Sequence, residues 1–541
     1  MNSIEGNIVD IVAKKIYSGI IFFDDGRIQK IERTDKKYNH FIIPGFCDAH
    51  IHIESSMLCP TEFAFEAVKH GTISTVSDPH EIANVCGVPG IDFMISNSRA
   101  TNFYFNYGAP SCVPATSFET SGAEINSEDI KNLLLRDDIL YLSEMMNYPG
   151  VLNNDDEVMK KIKAAHDIKK PVDGHAPGLK GDDAIRYINS GISTDHECFT
   201  YDEALHKIKH GMKILIREGS SAKNFEALYH LIDEYPDMVM LCTDDTHPDD
   251  LLKGHINIIA KRAVAKGLDI MNILRCISLN PKLHYGLKYG LIQLYDNADF
   301  VVVNDLKNFE VHKTYVKGEL VAQNNISFLP QIMIEPINNF LKYSIEENQI
   351  QYHTTLESIR VIEAIDGQLI TREFHHSAIK DSNNQLKSDI ENDILKIVVV
   401  NRYSKSKPAV AFIKNFGLKN GAIASSVAHD SHNIICVGVN DFLICKAINE
   451  VMKYGGGLAV INDTEVKVLP LPVAGLMTTK SATQVGKEYE LLDIMTKEMG
   501  CKLKAPFMTL SFMALLVIPQ LKISDKGLFD GSEFKFIPLE L

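Results

Sequence analysis

His50 and His52 stand two residues apart in the run FIIPGFCDAHIH. On an extended strand that spacing places both imidazoles on one face, where they can share one metal ion. Four more residues of ligand type close other apolar runs: Glu144 in LYLSEMMN, His175 in PVDGHAP, His196 in GISTDHE and Asp244 in MVMLCTDD. Four imidazoles, a carboxylate able to bridge and a terminal carboxylate supply the donors for two divalent ions ~3.5–4 Å apart. Such a pair lowers the pKa of a clamped water from ~15.7 toward ~7, so hydroxide is available at neutral pH. Asp244 is expected to take the water's remaining proton and deliver it to a leaving group, work worth ~10²–10⁴ in rate. Taken singly, each histidine reads equally well as a hydrogen-bonded core residue and each acid as a helix cap; six on five of the runs do not.

What must position them is an alternation of strand and helix. Eight short apolar runs begin at Phe41, Thr72, Phe103, Leu140, Pro171, Gly191, Met212 and Met238, separated by stretches of helical period such as 155–169 and 249–266. Eight βα units over this length point to an α/β fold, a closed (β/α)8 TIM-like barrel, with a doubly wound open sheet as the alternative. In the barrel all strand ends meet at one face, so the six donors converge there.

Before the barrel, Gly6 to Ile31 alternates apolar and polar residues around a turn at Asp24-Asp25-Gly26-Arg27; after it, Ala298 to Val303 and Lys313 to Leu320 do the same. Residues 1–43 and 295–335 are therefore expected to form one small composite β-sandwich interrupted by the barrel at 44–294. Beyond it, 336–541 reads as a separate α+β domain: a polar stretch to Asp393, then the strand-like LKIVVVNRY.

Composition limits the partners. The 541 residues carry 55 basic and 70 acidic side chains, a formal charge of -15, which repels nucleic acid and anionic membrane. The ten cysteines never form CxxC and sit in apolar runs, as reduced buried thiols do, and the N-terminus lacks the apolar core of a signal peptide, so the expected compartment is the cytoplasm. The most apolar stretch, Ala505 to Leu521, is broken by Pro506 and Pro519 and falls short of a span of ~20 residues. Neither HxE with PCxxC, nor GxGxxG opening a helix after a strand, nor GxxxxGK[ST] occurs, so the zinc deaminases of nucleic-acid bases and nucleotide cofactors are not indicated.

The motif PGFCDAHIHIESS resembles the first-strand motif of the amidohydrolase superfamily, and its IESS extension resembles the adenine-deaminating branch in particular. HGTISTVSDPHEIANVCG, SEMMNYPGV, DGHAPG, STDHE, IREGS, CTDDTHPDDL, SSVAHDSHN and APFMTLSFMALLVIPQLKISDKGL are similar to that branch too, over nearly the whole chain. The resemblance implies that His50, His52, Glu144, His175, His196 and Asp244 bind two divalent ions, usually manganese or iron(II), with Glu144 standing where many relatives carry a carbamylated lysine. Tyr148 and Cys47 depart from the pattern, and neither is a ligand.

The implied reaction is hydrolytic deamination of adenine to hypoxanthine and ammonia, in purine salvage, by a homo-oligomeric (dimeric) enzyme. As C6 becomes tetrahedral the ring must be protonated at N1, and the candidate donors or substrate contacts are Glu119, Glu218 and His80, in no fixed order. Each has a bland reading: a loop cap for Glu119, a pair with Arg217 for Glu218, a turn for His80. His429, Asp430 and His432 are rich enough in histidine to form a lid, or only surface hydrogen bonds. Two alternatives remain: a cyclic amidase of the dihydroorotase or hydantoinase kind, which generally has Lys where Glu144 stands, and a non-catalytic relative that keeps the barrel.

Overall fold

All eight apolar runs become parallel strands. In a computed structural model, which describes residues 1–220 and 222–541, Phe46–Ile51, Thr72–Ser77, Tyr104–Ala109, Ile139–Met145 and Val172–Gly174 pair in that order. Thr194–Asp195, Lys213–Arg217 and Val239–Cys242 do the same. Backbone bonds join the two sets. Ser193 N–H donates to Val172 O at 2.8 Å; at the other seam Asp244 N–H donates to His50 O at 3.0 Å and His52 N–H to Asp244 O at 3.1 Å. The sheet thus closes on itself as a (β/α)8 barrel. Its first two strands are buried at every residue, as parallel strands under helices must be, which is why they read as unbroken apolar runs.

The first run is divided between two sheets. Phe41–Pro44 pairs parallel to Asn2–Asp10 and antiparallel to Phe300–Val303, while Phe46–Ile51 starts the barrel. Gly45 is the join, and only glycine fits: a Cβ there would lie 2.3 Å from Ile73 Cδ1. One eight-stranded sheet therefore joins chain from before the barrel (Asn2–Asp10, Lys15–Asp24, Arg27–Arg33) to chain from after it (Val311–Val316, Glu319–Gln323, Ile326–Ser327), side by side. Ile8, Ile21, Phe23, Ile28, Ile42 and Phe300 form its core, with Phe23 edge-on to Phe300 at 5.5 Å.

Helix Asp156–Asp167 starts as its sequence dictates, the Asp155 side chain accepting from Glu157 and Val158 N–H at 3.0 Å each. The stretch 249–266, read as one helix, is two: Pro248–Lys253 and Ile256–Ala265. Gly254, at φ 157°, separates them in a conformation no helix contains.

The chain divides into two units, one of Met1–Pro79, Met94–Ser111 and Asn126–Met333, the other of His80–Phe93, Cys112–Ile125 and Ile334–Leu541. Residues 80–93 and 112–125, which the sequence reading kept in the barrel, thus belong with C-terminal chain. Both follow barrel strands, where connections are free to lengthen. In the second unit an eight-stranded sheet contains Ile394–Val400 between Ala409–Lys414 and Ile434–Gly438, buried along its full length. Helix Asp441–Tyr454 is capped by the Asn440 side chain, which accepts from Leu443 N–H at 2.9 Å, and ends at Gly455, φ 74°. The apolar stretch near residue 510 forms the buried helix Pro506–Phe512; among the described residues no helix is long and apolar enough to cross a membrane. All ten cysteines are free.

Lys522 is wholly buried in the second unit, donating to Leu369 O at 2.6 Å and Phe512 O at 2.9 Å. Burial pushes its ammonium down to about 7. An unfolded lysine titrates near ~10.4, so between these values the unfolded chain binds more protons than the folded one, and stability rises with pH across that window. Below the folded value no further stability is lost to this group. Replacing Lys522 with Met removes the titration: the stability advantage of the parent over the variant should grow from pH 7 to pH 9 by up to ~1.4 kcal/mol per unit. Thermal unfolding across that range measures it, and a constant difference would contradict the burial argument.

Candidate metal centre

The barrel's strand ends bring all six proposed donors together, each no more than 6% exposed. His50 Nε2 and His52 Nε2 are 3.2 Å apart, and each faces Asp244 Oδ1, at 3.4 and 3.1 Å. His52 Nε2 is also 3.3 Å from Glu144 Oε1. On the far side of the same carboxylate, Glu144 Oε2 lies 2.8 Å from His175 Nδ1 and 3.2 Å from His196 Nε2. Glu144 therefore presents one oxygen to each group of donors. Ligands at ~2.1 Å around a tetrahedral ion stand about 3.4 Å apart, close to these separations.

Hydrogen bonding also suits metal ligation. His52 Nδ1 is 3.1 Å from Asp78 O, so it carries the proton and leaves Nε2 with a free lone pair turned into the cluster. His50 Nδ1 and His175 Nε2 are buried without a hydrogen-bond partner. The His50 ring stacks on His196 at 4.2 Å, which fixes both planes. A buried set of imidazoles and carboxylates of this kind suits a divalent metal ion.

The electrostatics follow from burial among opposite charges. Burial opposes ionisation of Glu144, but His175, then His196 and His52, hold its carboxyl well below the usual range. Burial likewise opposes charge on Asp244, and is outweighed by the Arg217 guanidinium and the hydrogen bonds of His50 and His52. His175, disfavoured as a cation by burial, is nevertheless raised to about 9 by Glu197 and Glu144. The centre is built to keep its carboxylates ionised, the state in which they ligate.

Arg217 and Glu197 were missing from the sequence reading as site residues, although both lie in quoted motifs. Arg217 Nη1 donates to Asp244 Oδ2 at 2.7 Å and, with Nη2, grips Glu197, whose Oε1 lies 3.6 Å from His175 Nδ1 and 3.5 Å from His196 Nε2. An arginine ending the apolar run MKILIR was the available signal, since a guanidinium at a buried strand end requires carboxylate partners. Behind the loops carrying His175 and His196, the buried Lys207 binds Ala176 O at 2.9 Å, Asp195 at 2.5 Å and Glu203 at 3.0 Å. Asp244 itself is left-handed, φ 60°, a strained state for a non-glycine residue that the two seam hydrogen bonds hold in place.

The three proposed substrate residues differ in their surroundings. Glu218, read as a partner of Arg217, pairs instead with Arg262 and lines a cavity of about 180 Å³ with Lys223, Asp250 and His255. His80 and Glu119 belong to the second unit. There His80 Nε2 is 3.4 Å from Glu81 Oε1, and Glu119 is buried near Asp430, burial and that charge together raising its carboxyl well above the usual range. His429, Asp430 and His432 are buried too, at 5%, 2% and 0% exposure, which removes the surface reading.

Metal-dependent hydrolysis in a (β/α)8 barrel is the class that this fold and this donor set define. Residues 41–321 match the amidohydrolase family, and the chain belongs to it. Residues 368–535 match the adenine deaminase C-terminal domain. Over its whole length the chain is similar to curated adenine deaminases: 52% identical over 534 residues to that of Sulfurovum sp. (strain NBC37-1), covering 98% of each chain. Against that of Borreliella burgdorferi it is 49% identical over 545 residues, covering 99% of each. Against that of Methanosarcina acetivorans it is also 49% identical over 545 residues, covering 99% of this chain and 98% of the other.

Two outcomes follow from this geometry. Glu144→Ala removes a donor from both groups at once, so metal content after dialysis, measured by plasma mass spectrometry, should fall well below the parent's; unchanged content would remove Glu144 from the ligand set. Arg217→Met leaves two buried carboxylates without their cation and should cost about 3–5 kcal/mol of stability. Thermal unfolding checks it, and a variant as stable as the parent would contradict the role given to the guanidinium.

Proposed function

We propose that the chain hydrolyses adenine to hypoxanthine and ammonia in a centre holding two divalent ions, manganese or iron(II). His50, His52 and Asp244 would hold one, His175 and His196 the other, and Glu144 both. One observation carries the substrate: near-complete, roughly half-identical alignment with proteins named adenine deaminase. Bound there, the ions supply Lewis acidity and lower the pKa of water toward ~7, making hydroxide available.

The chain's own residues do the rest. Asp244, ionised through Arg217, accepts the proton that the attacking water gives up at Oδ1 and delivers it to the exocyclic nitrogen, which leaves as ammonia. Arg217 anchors Oδ2, so the carboxylate keeps one oxygen for ligation and proton transfer. Protonation at purine N1 requires a donor, and Glu119, Glu218 and His80 are the candidates for it. Glu144, in the position where a carbamylated lysine would need bicarbonate, does not, and it disfavours the cyclic-amidase reading. The same reading places the enzyme in purine salvage, in the cytoplasm, as a homo-oligomer.

Protein produced in manganese-supplemented medium should release ammonia from adenine, followed by the loss of adenine absorbance. Asp244→Asn should lower kcat by about 10²–10⁴. Turnover near the parent's would assign proton transfer to another group, and no turnover of adenine by the metal-loaded parent would overturn the substrate.

A further inference from the structure

The loop that carries Glu119 is held by chain from the far end of the sequence. Residues 110–126 run as irregular chain from the strand Tyr104–Ala109 to the helix Ser127–Leu134, so their backbone polar groups need partners outside regular structure. From 117 to 120 they find them in side chains of the second unit. Ser524 Oγ donates to Phe118 O at 2.9 Å, Asn433 Nδ2 to Thr120 O at 2.8 Å, and Lys526 Nζ to Ser117 O and Glu119 O at 3.1 and 3.2 Å. Thr120 N–H donates at 2.9 Å to Asp525 Oδ1, 405 positions later in the chain.

Those side chains are themselves fixed. Ser524, Asp525 and Lys526 lie at the turn of the hairpin formed by Leu521–Ser524 and Gly527–Asp530. Asp525 Oδ2 accepts from Asn401 Nδ2 at 2.9 Å, and Asn401 Oδ1 accepts from Tyr403 N–H at 2.8 Å. Phe118 packs on the same small sheet, its ring 4.9 Å from that of Phe529 and 5.7 Å from that of Phe536.

The acid placed in this way gains nothing from its surroundings as packing. Glu119 is 6% exposed; burial, then Asp430 and Asp525, oppose its ionisation, while Ser431 and Lys526 favour it less. Asp430 also lies 3.9 Å from His80 Nε2, so two of the three candidate substrate residues border one carboxylate, whereas Glu218 is committed to Arg262. Burying a carboxyl beside like charges costs stability; acids so placed belong to working sites more often than to cores.

We propose, on the deaminase reading, that Glu119 hydrogen-bonds the purine ring and that Asp525 and Lys526 are its positioning residues, fixing the loop before substrate arrives. Both act through the backbone of residues 117–120, and displacement of a contact by about 1 Å costs about 10²-fold in rate.

The test is a double-mutant cycle on the metal-loaded full chain, each variant checked for the parent's metal content. Glu119→Gln and Lys526→Met, the latter at an exposed side chain, should each lower kcat/KM for adenine, Lys526→Met by up to about 10²-fold. In the Glu119→Gln background Lys526→Met should lower it no further. Lys526→Arg keeps donors for both carbonyls and should restore most of the activity. Hydrogen exchange across residues 117–121, followed by mass spectrometry without substrate, should quicken in Lys526→Met and in Asp525→Ala. Equal loss in both backgrounds, parent-level activity of Glu119→Gln, or unchanged exchange overturns the proposal. Failure of the deaminase reading shows instead in a parent that leaves adenine unconsumed, and the exchange experiment still decides whether the hairpin holds the loop.

Discussion

A carboxylate with imidazoles on both of its oxygens, inside a barrel and out of contact with water, is the constraint on which the first unit depends. Burial alone would push the Glu144 carboxyl toward its neutral form, and the histidines around it reverse that. The same opposition recurs at Asp244, where Arg217 supplies the compensating charge. A site of this kind tolerates little displacement, because each charge is stabilised only by partners within a few ångströms, in a medium that screens poorly.

The fold meets that demand with backbone rather than loops. Each donor sits at or just past a barrel strand, and the seam between the first and last strands is tied through the donor residues themselves: Asp244 exchanges two backbone hydrogen bonds with the His50-Ile51-His52 segment. Asp48, one turn of the pleat earlier, accepts from Thr243 N–H at 3.1 Å and lies 3.1 Å from His255 Nε2, bracing the same seam. Closing the barrel and aligning the ligands are thus one event, and the left-handed backbone of Asp244 is sustained because the closed sheet over-determines it.

In the second unit His80, Glu81, His429, Asp430 and His432 are buried together, and there again both carboxylates face imidazoles. In both units these buried carboxylates face nitrogen donors that oppose the cost of burial.

The eight strands and six donors were legible in the sequence because both signals are local. A parallel strand under helices is a short unbroken apolar run, and a ligand at its end is simply the residue where the run stops; neither depends on distant partners. The composite flanking sheet was legible for the same reason, as alternation at period two. What only the tertiary structure decided depends on groups far apart in the chain. Arg217 reaches Glu197 and Asp244 across neighbouring strands, Glu218 turns to Arg262 instead, residues 80–93 and 112–125 join C-terminal chain, and Asp244 takes a left-handed conformation. Periodicity shows which side chains must leave water. Which charge each of them then meets is set by three-dimensional proximity, and no local pattern of residues encodes it.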